Sequence, residues 1–247
     1  VIYAFARTLD DLADEGRLNA TERLLHLAGY EAKLDIIKAG GCLNESLFLA
    51  LADVLRQHTL PVQPFYDLLA AARLDVVKKR YASFAELTEY CRYSANPIGR
   101  LLLYLYHAGT PRNLGYSDAI CTALQLINLL QDLAQDYHDR GRIYLPQDEM
   151  TRFGVTEAHL RGHSRDAALR RLIEFQIERT QRLLQTGAPL ARALNGRVGL
   201  EMRLIVWGGE RLLQLLKARE DPFSRPCLSR SDWAWTIWHA LFRRYPA

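Results

Sequence analysis

Long hydrophobic runs are missing from this 247-residue chain. No apolar stretch reaches the ~18 residues that a membrane-spanning helix needs. Cysteine is scarce: Cys42, Cys91, Cys121 and Cys227 are scattered, with no CxxC pair among them. That excludes a zinc-ribbon site or a disulfide frame and predicts reduced core cysteines in a cytoplasmic protein. Charge of one sign is also in short supply. A formal net charge of +4 falls short of the concentrated basic footprint of nucleic-acid binding, so no nucleic-acid partner is expected. Strand-like alternation, internal repeats and low-complexity linkers are absent. Without a strand to carry a GxGxxG turn, a Rossmann nucleotide fold is excluded.

What the chain has is helical periodicity, with 49% of its residues apolar. The central stretch runs from Cys121 to Pro146 and reads as one helix. Leu124, Ile127, Leu130 and Leu133 form its apolar face, Ser117 is a plausible N-cap and Gly141 a plausible stop. Asp132 and Asp136 lie one turn apart on one face, continuing a polar stripe through Gln125 and Asn128. Like charges at that spacing cost a helix roughly 0.2–0.5 kcal/mol. A solvated helix would usually set a Lys or Arg opposite. The pair is therefore either a wet surface face or a holder for a divalent cation.

The first stretch, VIYAFARTLDDLADEG, repeats the arrangement. Ile2, Phe5, Leu9 and Leu12 keep helical spacing, and Gly16 is the expected C-cap. Asp10 and Asp14 are again one turn apart, with Asp11 and Glu15 beside them, Arg7 one turn earlier and Tyr3 one turn before that. An acidic cluster at a helix C-terminus opposes the macrodipole unless a cation compensates. Two such pairs predict two helices facing one another across a cation cluster.

Further helices are expected at 19–39, 44–56 and 64–79, then a long one opened by the capping box Ser83-Phe84-Ala85-Glu86. Asn96-Pro97 sits within it, so a kink near Ala95 is predicted, flanked by the small residues Ser94, Ala95 and Gly99. Such a break suits either tight helix packing or the approach of a large ligand. A turn is expected from Pro146 to Gly154, long helices at about 165–187 and 197–218, and a last helix from Ser231 to about Arg244. The predicted fold class is all-α: a single-domain helical bundle over 1–247 around a central cavity. The chain opens on Val1 inside a periodic pattern, which predicts that the natural N-terminal segment is missing.

Paired carboxylates bind hard cations, and Mg²⁺ keeps waters and is completed by substrate phosphate oxygens. Beside an apolar cavity, such a cluster suits ionisation of an allylic or cyclopropyl diphosphate, with the carbocation hidden from stray water. Aromatic faces can stabilise the cation. Tyr3, Phe5, Tyr90, Tyr93, Tyr104 and Tyr106 are candidates for that lining, although each could be ordinary core. Candidates for holding the diphosphate are Arg7, Lys78, Lys79, Arg80, Arg140 and Arg142.

The blocks YAFARTLDDLAD, YCRYSANPIGR and LQLINLLQDLAQDYHDRGRIYLP, in this order, resemble the signature blocks of the squalene/phytoene synthase family. The likeness covers nearly the whole chain. The wording SANPIGRLLLYLY and SDAICTALQLIN is most similar to the hydroxysqualene synthase branch of bacterial hopanoid biosynthesis. The resemblance implies an all-α isoprenoid synthase that converts presqualene diphosphate and water to hydroxysqualene and diphosphate. It implies Mg²⁺, with Mn²⁺ as a substitute, and no NADPH. Farnesyl or geranylgeranyl diphosphate is the alternative substrate, for a presqualene diphosphate, squalene or phytoene synthase.

Carried over by motif, Asp10, Asp14, Asp132 and Asp136 are the implied metal ligands. Arg7 is the implied diphosphate contact, Tyr3 and Tyr90 line the reaction cavity, and Gln125 and Asn128 are the polar pair before the second motif. Phe5, Ser94, Asn96, Ile98 and Arg142 are implied substrate contacts. Asn96-Pro97 stands where the family usually has a small flexible pair, so the cavity floor is expected to differ. Functional coupling to neighbouring hopanoid-pathway enzymes is also implied. Two other readings stay open. One is a non-enzymatic assembly factor on a synthase fold. The other is a membrane-surface module built on the tail SRSDWAWTIWHALFRR, where Trp233, Trp235, Trp238, Phe242 and two arginines could sit at a lipid interface on the inner face of the membrane.

Overall fold

Caps and breakers set the element boundaries. Asn19 accepts from the Glu22 amide while the Glu22 carboxylate takes the Asn19 amide, a complete capping box. Thr110, Asp166 and Ser229 cap later helices in the same way through their side-chain oxygens. Gly141 and Gly154 close two others with φ of +63° and +72°, a backbone conformation that glycine adopts without strain.

The computed structural model describes residues 1–243. It holds α1 (Ile2–Asp14), α2 (Ala20–Lys38), α3 (Ser46–His58), α4 (Gln63–Val77), α5 (Phe84–Ser94), α6 (Asn96–Leu105) and α7 (Pro111–Gln131). Then come α8 (Leu133–Arg140), α9 (Gln147–Phe153), α10 (Glu157–Arg161), α11 (Ala167–Gly187), α12 (Leu190–Ala193), α13 (Gly196–Ala218) and α14 (Arg230–Phe242). Among the described residues the only β pairing is an isolated bridge between Arg80 and Ile143. The fold is all-α. No helix among the described residues is long and apolar enough to cross a membrane.

The chain forms two compact units. The first comprises Val1–Lys79 and Glu89–Gly109, the second Arg80–Thr88 and the described residues of Thr110–Ala247. The core of the first unit is built around Phe5. Its ring meets Phe65 edge-on at 5.2 Å, Phe48 at 6.3 Å and Tyr30 at 6.2 Å, favourable aromatic geometry. Leu9, Leu27, Leu34, Leu51, Leu69 and Leu101 complete that core.

In the second unit α7 and α11 approach closely at Gly187. A Cβ there would lie 2.5 Å from the Ile120 side chain and 2.6 Å from the Tyr116 carbonyl, so only glycine allows this crossing. Between α9 and α11, buried Glu149 accepts from Gln176 at 2.5 Å and from both terminal nitrogens of Arg179, at 2.5 and 2.9 Å. The Arg179 guanidinium lies 3.3 Å from the Phe84 ring centroid. Gln176 bonds both members of this ion pair, which offsets part of its desolvation, although the Arg179 Nε has no hydrogen-bond partner among the described residues.

Several sequence expectations need correction. The helix expected from Cys121 begins earlier, at Pro111, so Ser117 is a buried mid-helix residue and Thr110 is the cap. It also breaks at Asp132, whose φ and ψ of −96° and 13° separate α7 from α8. The kink near Ala95 is a full break between α5 and α6, with Asn96 and Pro97 opening the new helix where the proline's missing N–H costs nothing. Residues 147–153 form a short helix and not a turn, because Pro146 and Gly154 frame one complete capped segment. Only Cys91 is buried, its thiol pushed up to about 12 by burial, while Cys42 and Cys227 are exposed and none of the four forms a disulfide. The last helix ends at Phe242, and Arg244 lies outside the described residues.

Candidate active site

In the first unit, α1 carries its acidic face at its C-terminal end. Asp10 keeps exposed surface, yet the protein crowded around it, and after that the Asp14 charge, raise its carboxyl above the ordinary range, while Arg7 pulls the other way. The Arg7 guanidinium itself reaches Asp11 and Glu15, both at 2.8 Å, and not Asp10. This is the compensation that an acidic helix end requires. It directs the arginine to the neighbours of the expected metal pair.

Other expected site residues of this unit have varied surroundings. Tyr3 is 79% exposed. Phe5 has no exposed surface and sits inside the aromatic core, so here it packs helices together. The buried Tyr90 donates its hydroxyl to Asp75 at 3.1 Å. Asn96 is buried as the first residue of α6, and Ile98 packs against the core. The Ser94 Oγ is buried with no hydrogen-bond partner among the described residues, an orphaned group able to hold a water.

In the second unit the candidate residues lie at the helix break. The backbone ladder runs through it: the Asp132 amide donates to Asn128 at 2.9 Å and the Asp136 amide to the Asp132 carbonyl at 2.8 Å. The two carboxylates thus keep their one-turn spacing while Asp132 begins a new helix. Asp136 is buried and accepts from Arg140 at 3.0 Å; the Arg142 amide closes onto the Asp136 carbonyl at 2.9 Å. Burial lifts the Asp136 carboxyl to about 6, against the pull of Arg140 and with a further push from Asp132. On α7, Gln125 is half-buried and Asn128 exposed. Arg80, a candidate diphosphate contact, is engaged elsewhere. It grips Glu157 with two nitrogens, at 2.8 and 2.9 Å, and donates to the Gly141 carbonyl at 2.6 Å.

Arg225 was not legible as a site residue. Its Nε donates to one oxygen of Asp132 and its second nitrogen lies 3.4 Å from the other. The segment that carries it is strapped to the end of α7. Half-buried Arg219, its pKa lowered to about 10 by the protein packed around it, donates to the Leu130 carbonyl at 3.2 Å and to the Ser224 carbonyl at 2.8 Å. Gln131 donates to the Pro226 carbonyl at 2.6 Å. No motif marks these residues, because the contact spans a loop 93 residues away in sequence.

No cluster of three or more His, Cys, Asp or Glu groups surrounds a single point among the described residues. Each unit instead offers a pair of carboxylates. Such a sparse donor set fits Mg²⁺, which retains waters and takes phosphate oxygens from a substrate. The raised carboxyl pKa values of Asp10 and Asp136 point the same way, since a bound cation would relieve the repulsion and desolvation that cause them.

The family model for squalene/phytoene synthase matches residues 1–234. The chain is 37% identical over 223 residues to the hydroxysqualene synthase of Rhodopseudomonas palustris, covering 90% of this chain and 74% of that protein. It is 36% identical over 226 residues to the hydroxysqualene synthase of Zymomonas mobilis, with the same coverage of 90% and 74%. Among solved structures it resembles squalene synthase HpnC from Alicyclobacillus acidocaldarius, with a TM-score of 0.83 and 35% identity over 89% of this chain and 81% of that one. The chain belongs to the squalene/phytoene synthase family and is an isoprenoid synthase.

Proposed function

We propose that this enzyme is a hydroxysqualene synthase that acts in the cytoplasm on presqualene diphosphate. The observation that carries the reading is the α7–α8 break, where Asp132 and Asp136 are held one turn apart beside Arg140, Arg142 and Arg225, with Gln125 and Asn128 on the preceding turns. The names of the two hydroxysqualene synthases it resembles support it. Asp10 and Asp14 would hold metal for the same reaction. Mg²⁺, or Mn²⁺ in its place, supplies charge neutralisation for the departing diphosphate.

The residues of the chain do the rest. Arg142 and Arg225 hold phosphate oxygens, and Arg7 adds a planar guanidinium suited to bidentate contact. The ester C–O bond breaks with its electron pair leaving on the diphosphate. The cyclopropylcarbinyl cation rearranges beside Tyr3 and Tyr90, whose ring faces favour positive charge. Gln125 and Asn128 orient a water, whose oxygen forms the new C–O bond as one proton is lost to solvent. No hydride is consumed, so NADPH is not required. The product would pass to neighbouring enzymes of hopanoid biosynthesis.

Incubation with presqualene diphosphate, Mg²⁺ and H₂¹⁸O without reductant tests this. Mass spectrometry should show one enantiomer of hydroxysqualene carrying ¹⁸O, in a yield unaffected by NADPH. Squalene formed only with NADPH would assign a squalene synthase. Presqualene diphosphate accumulating from farnesyl diphosphate would assign the first-step enzyme, and phytoene from geranylgeranyl diphosphate a phytoene synthase.

A further inference from the structure

The last helix is built inside out. On α14 the residues facing the protein are small or polar: Asp232, Thr236 and Ala240 are buried. Asp232 is held there by Ser229 and by Arg211, whose Nε lies at 2.7 Å. Trp235 and His239, half-buried, lie with ring centroids 3.7 Å apart and planes tilted by 31°, and both rings meet Trp207 on α13. The outward face carries the large apolar side chains. Trp233, Ile237, Trp238, Leu241 and Phe242 are between 46% and 71% exposed, and they follow helical spacing as one continuous stripe. A stripe of this size on a water-facing helix marks an interaction surface.

The charge around the stripe identifies the partner. The helix's one carboxylate, Asp232, is turned inward, so the outward face has no anion. Exposed Arg230 and Arg243 flank it at its two ends, and the Arg243 guanidinium lies 5.5 Å from the Trp238 ring. At the C-terminal end an open cavity of about 490 Å³ is lined by Arg192, Arg203 and Arg243 together with Leu241 and Phe242. Arginines gathered around a cavity with an apolar rim suit a phosphate on an acyl chain. A second copy of the chain fits poorly: a two-fold contact would set the flanking arginines against each other with no carboxylate on either face.

We propose that α14 docks the enzyme on an anionic phospholipid surface, with its tryptophan-rich face in the acyl boundary and lipid phosphate in the arginine-lined cavity. The indole rings suit that boundary because each is an apolar body with one polar edge. Electrostatic attraction from the arginines adds to apolar burial, the combination that holds an interfacial helix. This docking is independent of which diphosphate the active site ionises.

Flotation of the full chain with vesicles tests it. The protein should float with phosphatidylcholine vesicles that contain phosphatidylglycerol, with a blue shift in tryptophan emission, and far less with phosphatidylcholine alone. Ile237→Asp, on exposed surface, should lower flotation about tenfold or more. Arg243→Gln should lower it about fivefold, the contribution of one arginine near an anionic leaflet. Both variants should keep the wild-type circular dichroism spectrum and basal turnover. Folded wild type that stays in bulk solution overturns the proposal, as does equal flotation on both vesicle types. A dimer that Ile237→Asp splits would assign the face to self-association instead.

Discussion

The two aspartate pairs share a spacing and differ in construction. Asp10 and Asp14 stand within one uninterrupted helix, and the nearby guanidinium of Arg7 is bound to the flanking acids Asp11 and Glu15. Asp132 and Asp136 stand at a helix break, each carboxylate gripped by an arginine from its own unit, Arg225 and Arg140. In the first pair burial and the Asp14 charge raise the Asp10 carboxyl, while in the second pair each carboxylate is oriented by an arginine contact. Pairs of the same spacing can therefore be set up differently for a metal: at Asp132 and Asp136 a cation would share or displace the contacts of Arg225 and Arg140.

The largest effect that would break this comparison is loss of a ligand. Asp132→Asn and Asp10→Asn should each lower turnover by well over 10²-fold, since removal of even outer partners of metal ligands costs about 10–100-fold. Steady-state product release, with circular dichroism to confirm the fold, measures it. Full activity in both variants would remove the metal role from both pairs. Next in size is Arg225→Gln, expected to lower turnover about 10–100-fold by freeing the Asp132 carboxylate to reorient. Arg225→Lys should recover only part, because it lacks the second nitrogen that faces the other oxygen of Asp132. A glutamine variant with normal turnover and normal Mg²⁺ response would show that Asp132 needs no such support.

A pH titration sharpens the contrast. The Asp136 carboxyl is raised to about 6, so the metal-free fold binds its proton more tightly than the unfolded chain does. The stability it contributes is present below the unfolded carboxylate value of ~3.9 and lost as pH rises through about 6. Mg²⁺ requires the ionised form, so its apparent affinity should increase across the same window. Asp136→Asn should flatten the rise near 6. Persistence of the full rise in that variant would assign it to another group.

Most of the helices, and both aspartate pairs, were legible because period and caps are local properties. Asn19, the Ser83 box, Gly141 and Gly154 mark boundaries through their own backbone chemistry. What escaped depends on distant residues. The break at Asp132 leaves the apolar period of Leu124, Ile127, Leu130 and Leu133 intact, so periodicity could not reveal it. Arg225 reaches Asp132 from across 93 residues, and Glu149 meets Arg179 across 30. Phe5 carries the spacing of a cavity residue and of a core residue equally well, and only packing distinguishes them. The apolar face of α14 was visible as composition, but its outward orientation follows from Asp232, Thr236 and Ala240 turning inward.

The smallest predicted effect is the one that separates the two roles open to Arg7. Its side chain is 51% exposed and pairs with two carboxylates at 2.8 Å on the surface of α1. Surface pairs contribute little because water screens them, and a lysine can retain much of that charge compensation. Arg7→Lys should therefore leave the melting temperature nearly unchanged. Contact with two phosphate oxygens is different, because a lysine ammonium lacks the planar fork that engages both at once. If Arg7 leaves Asp11 or Glu15 to take diphosphate, the lysine variant should lose several-fold in kcat/KM, on the order of one lost charge-assisted hydrogen bond. Inhibition by inorganic diphosphate should weaken in parallel. Unchanged kcat/KM and unchanged diphosphate inhibition would show that Arg7 serves only to balance the acidic end of its helix, and the contrast between the pairs would then be complete: arginine as neighbour in the first, arginine as ligand-holder in the second.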